Sequence, residues 1–196
     1  IDFSGELKDN LIGLYRSRYK GKDGKEKFLA TTQFEANYAR RAFPCFDEPD
    51  KKARFRLSVE IDRNLHGISN MTVEKEIIDN EKKLLQFHET PLMSTYLLYL
   101  GIGEFEFLTD KLRDIVIRIV TTEGKKENAE FALELTKKFL GYFEKYSGIK
   151  YPLPKLDMLA VPDFAAGAME NWGAITFREI LLLYDAKNAN MVAGSE

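Results

Sequence analysis

Three small residues in succession, Ala166-Gly167-Ala168, stand directly before Met169, Glu170 and Asn171. Without bulky side chains the backbone there is uncovered, so another polypeptide can approach and hydrogen-bond to it as an added strand. Glu170 then sits just beyond as a carboxylate within reach of the incoming chain. On turn chemistry alone, the same residues also read as a tight turn between strands with Glu170 in water. Other reactive groups are sparse. The two histidines, His66 and His88, are 22 residues apart, far from the one-turn spacing with which a helix presents two ligands to zinc, so each is expected to be a surface or hydrogen-bonded residue. Cys45 has no histidine in a recognisable relation to it and reads as a structural cysteine rather than a nucleophile. Lys125-Lys126 and Lys137-Lys138 read as a solvated helix face. Arg40, Arg41, Asp47 and Glu48 can form an ion-pair cluster.

The elements that must position these groups change character along the chain. Leu11 to Tyr19 and Phe28 to Phe34 flank Gly21-Lys22-Asp23-Gly24-Lys25, the pattern of a hairpin. Phe55, Leu57, Val59 and Ile61 alternate with polar residues, so that segment is a strand with one apolar face. Further strands are predicted at Leu84 to Phe87, Thr95 to Gly101 and Ile115 to Val120, with Ser69-Asn70 and Thr90-Pro91 as punctuation. Residues before about 104 therefore read as an all-β, sandwich-like unit. Beyond it, Ala132, Leu135, Phe139, Tyr142, Phe143 and Tyr146 fall on one stripe of a helix predicted over about 127 to 147, stopped by Gly148. That stripe is expected to pack inward through Leu135, Phe139 and Phe143. A strand at Leu156 to Val161, a Gly/Ala-rich turn, a strand at Ala174 to Phe177 and the apolar Ile180 to Tyr184 follow.

Composition narrows the class. The chain has 196 residues, 44% hydrophobic and 31% charged, with 14 Phe, 9 Tyr and 1 Trp, too many aromatics for a disordered chain. A formal net charge of -2 with interspersed signs gives no footprint for nucleic acid or for an anionic membrane. No apolar run approaches the roughly 20 residues that span a bilayer, and Ile1-Asp2-Phe3-Ser4 lacks the basic and apolar regions of a signal peptide. The single cysteine fits a reducing compartment, and a cytoplasmic location is expected.

Gly167-Ala168-Met169-Glu170-Asn171 resembles the G-A-M-E-N signature of the aminopeptidase N / puromycin-sensitive aminopeptidase family of zinc exopeptidases, the gluzincins, closest to its archaeal tricorn-interacting members. Thr32-Gln33-Phe34-Glu35 and Ala39-Arg40-Arg41-Ala42-Phe43-Pro44-Cys45-Phe46-Asp47-Glu48-Pro49 resemble a second long signature of that family. Met93-Ser94-Thr95-Tyr96-Leu97 and Tyr151-Pro152-Leu153-Pro154-Lys155 also resemble family segments in the expected order, so the likeness spans nearly the whole chain.

The resemblance implies a β-rich, sandwich-like portion over 1–104, the carboxy-terminal part of the family's amino-terminal β-domain. It implies that 105–196 is the α/β start of a thermolysin-like catalytic domain, ending before the zinc-binding helix. It assigns the recognition of a peptide's free amino terminus to Glu170 and Glu35, with Gln33 orienting the amine and Gly167 and Ala168 pairing with the substrate backbone. Ala166, with Met169 and Asn171 nearby, would line the binding site, the small Ala166 leaving room for a large first side chain. Two carboxylates suit that task, because charge-assisted hydrogen bonds to an ammonium are strong, and an internal amide would leave the same acids unpaired. The family's zinc sits on an H-E-x-x-H helix plus a later glutamate, and this sequence has no such motif. Zinc is thus expected in the intact enzyme, with no ligand in this chain and no catalytic residue in it. The expected partners are a peptide with a free amino terminus and the remainder of the catalytic domain. An alternative is an amino-terminus binding or interaction module in a catalytically dead relative; a purely structural β-domain is a third reading, disfavoured by the two matching signatures.

Overall fold

The computed structural model describes residues 1–185; residues 186–196 of the second predicted region lie outside the described residues. In chain order the first strands are β1 (Gly13–Lys20), β2 (Glu26–Gln33), β3 (Ser58–Asp62), β4 (His66–Ser69), β5 (Val73–Asp79), β6 (Lys82–Phe87) and β7 (Leu100–Gly103). They are followed by β8 (Phe105–Leu112), β9 (Ile115–Thr122), helix α1 (Glu130–Ser147), β10 (Lys155–Val161), β11 (Ala168–Met169), β12 (Ala174–Arg178) and the short helix α2 (Glu179–Leu182).

Three sheets result. The first runs β1-β2-β7-β4 and the second β3-β6-β5, both antiparallel. The third runs β11-β12-β10-β9-β8, with β10 parallel to both β9 and β12. Parallel neighbours need a crossover, and α1 supplies it between β9 and β10. The chain is β-rich, as its alternating patterns imply, and among the described residues every strand from Phe105 onward belongs to the third sheet.

The predicted hairpin forms with Gly13 opposite Gln33 and Lys20 opposite Glu26. Phe55 to Ile61 keeps its alternation, but regular pairing begins only at Ser58. The segment predicted as a strand from Thr95 to Gly101 begins instead as a 3-10 turn over Thr95–Leu97, and β7 starts at Leu100. Side chains explain the difference: Ser94 Oγ donates to the Pro49 carbonyl at 2.6 Å and Thr95 Oγ1 to Asp47 Oδ1 at 2.8 Å. Such local bonds compete with a ladder.

Helix α1 corrects a second expectation. Of its stripe only Ala132 is buried: Phe139 is 53% exposed and Phe143 58% exposed, and Leu135 is half-buried. The seam against the sheet is built from smaller residues, Ala132, Leu133 and Thr136 with Leu140 partly buried, facing Ile115, Ile117, Ile119 and Leu156. Offsets of 0, 1, 4 and 8 are as helical as those of the aromatic stripe, so periodicity alone did not choose the face. Glu144 is buried at the same side, its two oxygens accepting from Arg113 Nη2 at 2.7 and 2.6 Å and one of them also the Tyr151 N–H at 2.9 Å.

Gly148 ends the helix at φ +70°, with open space where a Cβ would stand. Gly148→Ala therefore meets only left-handed backbone strain, and chemical denaturation should show a loss of about 1 kcal/mol.

Candidate functional site

The Glu170 segment lies at the edge of the third sheet. β11 is outermost and pairs antiparallel with β12, Ala168 opposite Phe177 and Met169 opposite Thr176. The Arg178 N–H donates to the Gly167 carbonyl at 2.9 Å, so the Gly167 carbonyl faces β12. Alternation then makes Ala168 the residue whose N–H and C=O face away from β12, toward the open edge. Past β11 the side chains alternate: Met169 and Asn171 are buried, Glu170 and Trp172 exposed. Glu170 is thus held outward between two fixed neighbours.

Met169 is held by packing and Asn171 by hydrogen bonds. Met169 sits in a cluster with Phe34, Met93, Leu97, Leu98, Val161 and Phe164, with Ala166 packed against it. Asn171 Nδ2 donates to the Ala174 carbonyl at 3.3 Å and to Thr176 Oγ1 at 3.4 Å, and the Ala174 N–H returns to the Asn171 carbonyl at 3.1 Å.

The Glu35 segment continues from β2 of the first sheet. Gln33 ends β2 and is buried, and its Oε1 has no hydrogen-bond partner among the described residues. Phe34 is buried in the cluster that holds Met169, while Glu35 is exposed. The Tyr38 N–H closes a turn onto the Phe34 carbonyl at 2.8 Å, and the Glu35–Ala36 peptide bond is cis. Each glutamate is therefore one residue along from a member of one apolar cluster. A cavity of about 270 Å³ opens beside Glu170, lined also by Tyr151, Leu156, Trp172 and Ile175; Gln33 and Glu35 are not among its lining residues. A cavity of about 400 Å³ under Phe34, Phe43 and Phe55 contains none of the candidate residues.

Several polar contacts, from exposed to fully buried, fix the loop between β10 and β12. At its start the Tyr15 hydroxyl donates to the Asp163 carbonyl at 2.8 Å, the Asp163 N–H donates to Ser17 Oγ at 3.0 Å, and the Arg18 N–H donates to Asp163 Oδ2 at 2.9 Å. Burial pushes the Tyr15 phenol well above its ordinary pKa, so it stays a donor. Arg178 donates to the Phe164 and Ala165 carbonyls at 3.1 and 2.6 Å. At the far end the Gly173 carbonyl accepts from Lys155 Nζ at 2.7 Å and from the Asp157 N–H at 3.0 Å. Asp157 in turn accepts from Lys155 at 2.7 Å and, in a bidentate pair, from Arg118 at 2.6 Å twice. Burial lowers the Lys155 pKa, opposed by Asp157. Asn70 Nδ2 donates to the Trp172 and Leu97 carbonyls, both at 2.8 Å.

Lys155, Asp157 and Asn70 were not singled out from the sequence. The signal available was two charged residues in β10, a strand otherwise of Leu, Met, Ala and Val, which means burial with compensation or no strand at all. Asn70 read as turn punctuation. The predicted cluster at Asp47 is present: Arg40 Nε lies 3.1 Å from Asp47 and its Nη2 3.9 Å from Glu48, whereas Arg41 stacks over the Tyr38 ring. Cys45 is half-buried against the Phe34 cluster, its thiol pushed up by burial. His66 accepts from the Phe105 N–H at 3.3 Å. Among the described residues no three His, Cys, Asp or Glu side chains are grouped to hold a metal ion, so the residues present do not fit a zinc site.

Comparison with known proteins identifies the family. Residues 1–97 match the model of the peptidase M1 N-terminal domain and residues 131–195 that of the peptidase family M1 domain. The chain is 48% identical over 186 residues to the puromycin-sensitive aminopeptidase of Caenorhabditis elegans, covering 93% of this chain and 20% of that protein. It is 49% identical over 190 residues to probable aminopeptidase 2 of Sulfurisphaera tokodaii, covering 96% of this chain and 24% of the relative. It is 49% identical over 183 residues to tricorn protease-interacting factor F2 of Thermoplasma acidophilum, covering 93% and 22%. The chain thus spans about a fifth to a quarter of the length of these relatives. It belongs to peptidase family M1, and its residues are those of the family's N-terminal domain and the start of its catalytic domain.

Proposed function

We propose that this chain is the part of a zinc aminopeptidase that selects a peptide's free amino terminus and pairs with the substrate backbone, in an enzyme hydrolysing amino-terminal residues from peptides. The observation that carries the reading is the edge strand: Ala168 offers its backbone to the open side, and an exposed carboxylate, Glu170, follows two residues later between buried neighbours. A substrate added as a strand ends, at its amino terminus, in an ammonium that such a carboxylate can bind. Glu35 supplies the second carboxylate and Gln33 the amide beside it. Ala166, Gly167, Met169 and Asn171 complete the site, with the Gly167 carbonyl already engaged by Arg178.

On this reading 1–104 is the end of the amino-terminal β-domain and 105–196 the opening of a thermolysin-like catalytic domain. Zinc dependence is general in the family, and the metal is held by residues beyond this chain. The partner this segment needs is the remainder of the catalytic domain. The exposed face of α1, with Phe139, Tyr142, Phe143 and Tyr146, is apolar surface of the kind a neighbouring domain covers. No helix among the described residues is long and apolar enough to cross a membrane. The single cysteine fits a reducing compartment, and on that ground a cytoplasmic location is proposed.

The test pairs the intact polypeptide with this segment. The intact protein should release the amine product from an aminoacyl-anilide, ignore its acetylated counterpart, and lose activity to a chelator. The purified 196-residue chain should do none of this and bind no stoichiometric zinc. Chelator-sensitive turnover by the chain alone would mean that the active site has been misplaced; an intact protein that binds free-amine peptides without cleaving them would be the interaction module instead.

A further inference from the structure

Two consecutive carbonyls just past Glu170 are each held by a buried polar side chain, and the two holders come from different sheets. Gly173 is held from within its own sheet by Lys155. Trp172 is held from across the boundary by Asn70, which follows β4 of the first sheet and is 1% exposed. Asn70 uses both of its donors in doing so: one amide donates to Trp172 and Leu97, and its Oδ1 accepts the Tyr99 N–H at 2.8 Å. Its three partners fix the amide plane, since a rotated side chain would lose bonds to two elements at once. The contact is also close-packed. Gly173 has φ +73°, and a Cβ there would stand 2.3 Å from the Asn70 carbonyl oxygen. Because that oxygen is backbone, it cannot swing aside, and only glycine allows this approach.

We infer that Asn70 is a positioning residue for Glu170: through the Trp172 carbonyl it sets where the carboxylate stands, and so ties amine recognition to the amino-terminal β-domain. The inference rests on the reading that Glu170 binds the substrate amine. Between the Met169 cluster and the Trp172 carbonyl only Glu170 and Asn171 intervene, and Asn171 is itself fixed by Ala174 and Thr176. A carboxylate so placed has its backbone defined on both sides, and displacing one support by a fraction of an ångström is enough to misalign a hydrogen bond to a bound cation. The amino-terminal domain then does more than cover the catalytic sheet; it carries Glu35 on one segment and orients Glu170 from another.

The experiment uses the intact enzyme and two matched competitive inhibitors, one bearing a free α-amine and the other its des-amino analogue. The ratio of their inhibition constants isolates the contribution of the amine. Asn70→Asp keeps the shape and the acceptor but removes both donated bonds. It should shrink that ratio by about tenfold, while affinity for the des-amino analogue stays within about twofold and zinc content is unchanged. Glu170→Gln serves as the reference and should shrink the same ratio. Equal weakening of both inhibitors by Asn70→Asp would show general damage to the fold and overturn the positioning role. So would an unchanged ratio in Asn70→Asp when Glu170→Gln lowers it. If Glu170→Gln leaves the ratio unchanged, the amine assignment itself falls and takes this inference with it. Should Asn70→Asp fail to fold, Asn70→Ser, too short to span both carbonyls, is read against the same outcomes.

Discussion

Asp157→Ala should destabilise the protein by about 3–5 kcal/mol in chemical denaturation, the range for removing one partner of a buried ion pair. Asp157 is fully buried and Lys155 nearly so, at 0% and 2% side-chain exposure, while Arg118 retains 29%. Without the carboxylate, Arg118 can turn to solvent, but the Lys155 ammonium keeps only the Gly173 carbonyl. Its escape is to lose the proton. Burial already lowers its pKa and Asp157 is the group that opposes the fall. In the variant the folded-state pKa therefore drops further below the unfolded lysine value near 10.4, and the unfolded state binds more protons in between. Stability rises with pH wherever the unfolded state holds the extra proton, so the deficit of Asp157→Ala should shrink as pH is raised toward 10. A deficit caused by the lost packing volume alone would not move with pH. The double variant Lys155→Met, Asp157→Leu removes both charges at similar volume and should keep more stability than Asp157→Ala, a non-additivity that denaturation curves measure directly. Equal losses in single and double variants would show that the ion cluster does not hold β10.

How far the sequence could be read depended on whether a pattern had one structural solution. The hairpin around Gly21 to Lys25 did, because alternation on both arms and glycines between them leave a single register for burying Tyr15 and Leu29. The strands at Leu156 to Val161 and Ala174 to Phe177 were legible differently, as short apolar runs on either side of a Gly/Ala-rich turn. The face of α1 was not. Ala132 belongs both to the stripe of aromatics and to a second one with Leu133, Thr136 and Leu140, and side-chain size does not mark which of the two is buried. The sheet beneath instead receives the small residues, which let a helix approach closely, and leaves Phe139 and Phe143 outside. The segments proposed to bind substrate, those of Glu35 and Glu170, stand out in the sequence only through their motif resemblance, which their residue types carry. The supports were not, because Asn70, Tyr15 and Lys155 act through contacts 102, 148 and 18 residues away in the chain, and no local pattern encodes such partners. A buried asparagine after a short strand looks like a turn until the carbonyls it serves are seen.

In the intact enzyme, Glu170→Gln should lower kcat/KM on a free-amine peptide by about ten- to a hundredfold, the loss of one charge-assisted bond worth roughly 1.5–3 kcal/mol. The glutamine keeps the size of the side chain and can still accept a hydrogen bond, so the change isolates charge. Because Glu170 lies outside the buried cluster and its neighbours Met169 and Asn171 keep all their contacts, the fold should be undisturbed and the melting temperature unchanged. Glu35→Gln should behave alike, since Glu35 is also exposed beside a buried neighbour, Phe34. Zinc content should be that of the wild type in each variant, neither residue being assigned to the metal. If both carboxylates bind one ammonium, the second removal acts on an amine already displaced by the first. The double variant should then lose less than the product of the two single effects, a coupling of the size found between groups sharing one partner. Acetylation of the substrate amine removes the cation altogether, so the four proteins should converge on the acetylated peptide, where wild type has nothing left to prefer. Single variants that cleave the free-amine peptide as fast as wild type, at full zinc occupancy, would refute the amine-anchor assignment. Strictly multiplicative effects would place the two glutamates on different parts of the substrate, with Phe34 and Met169 sharing a cluster for packing alone.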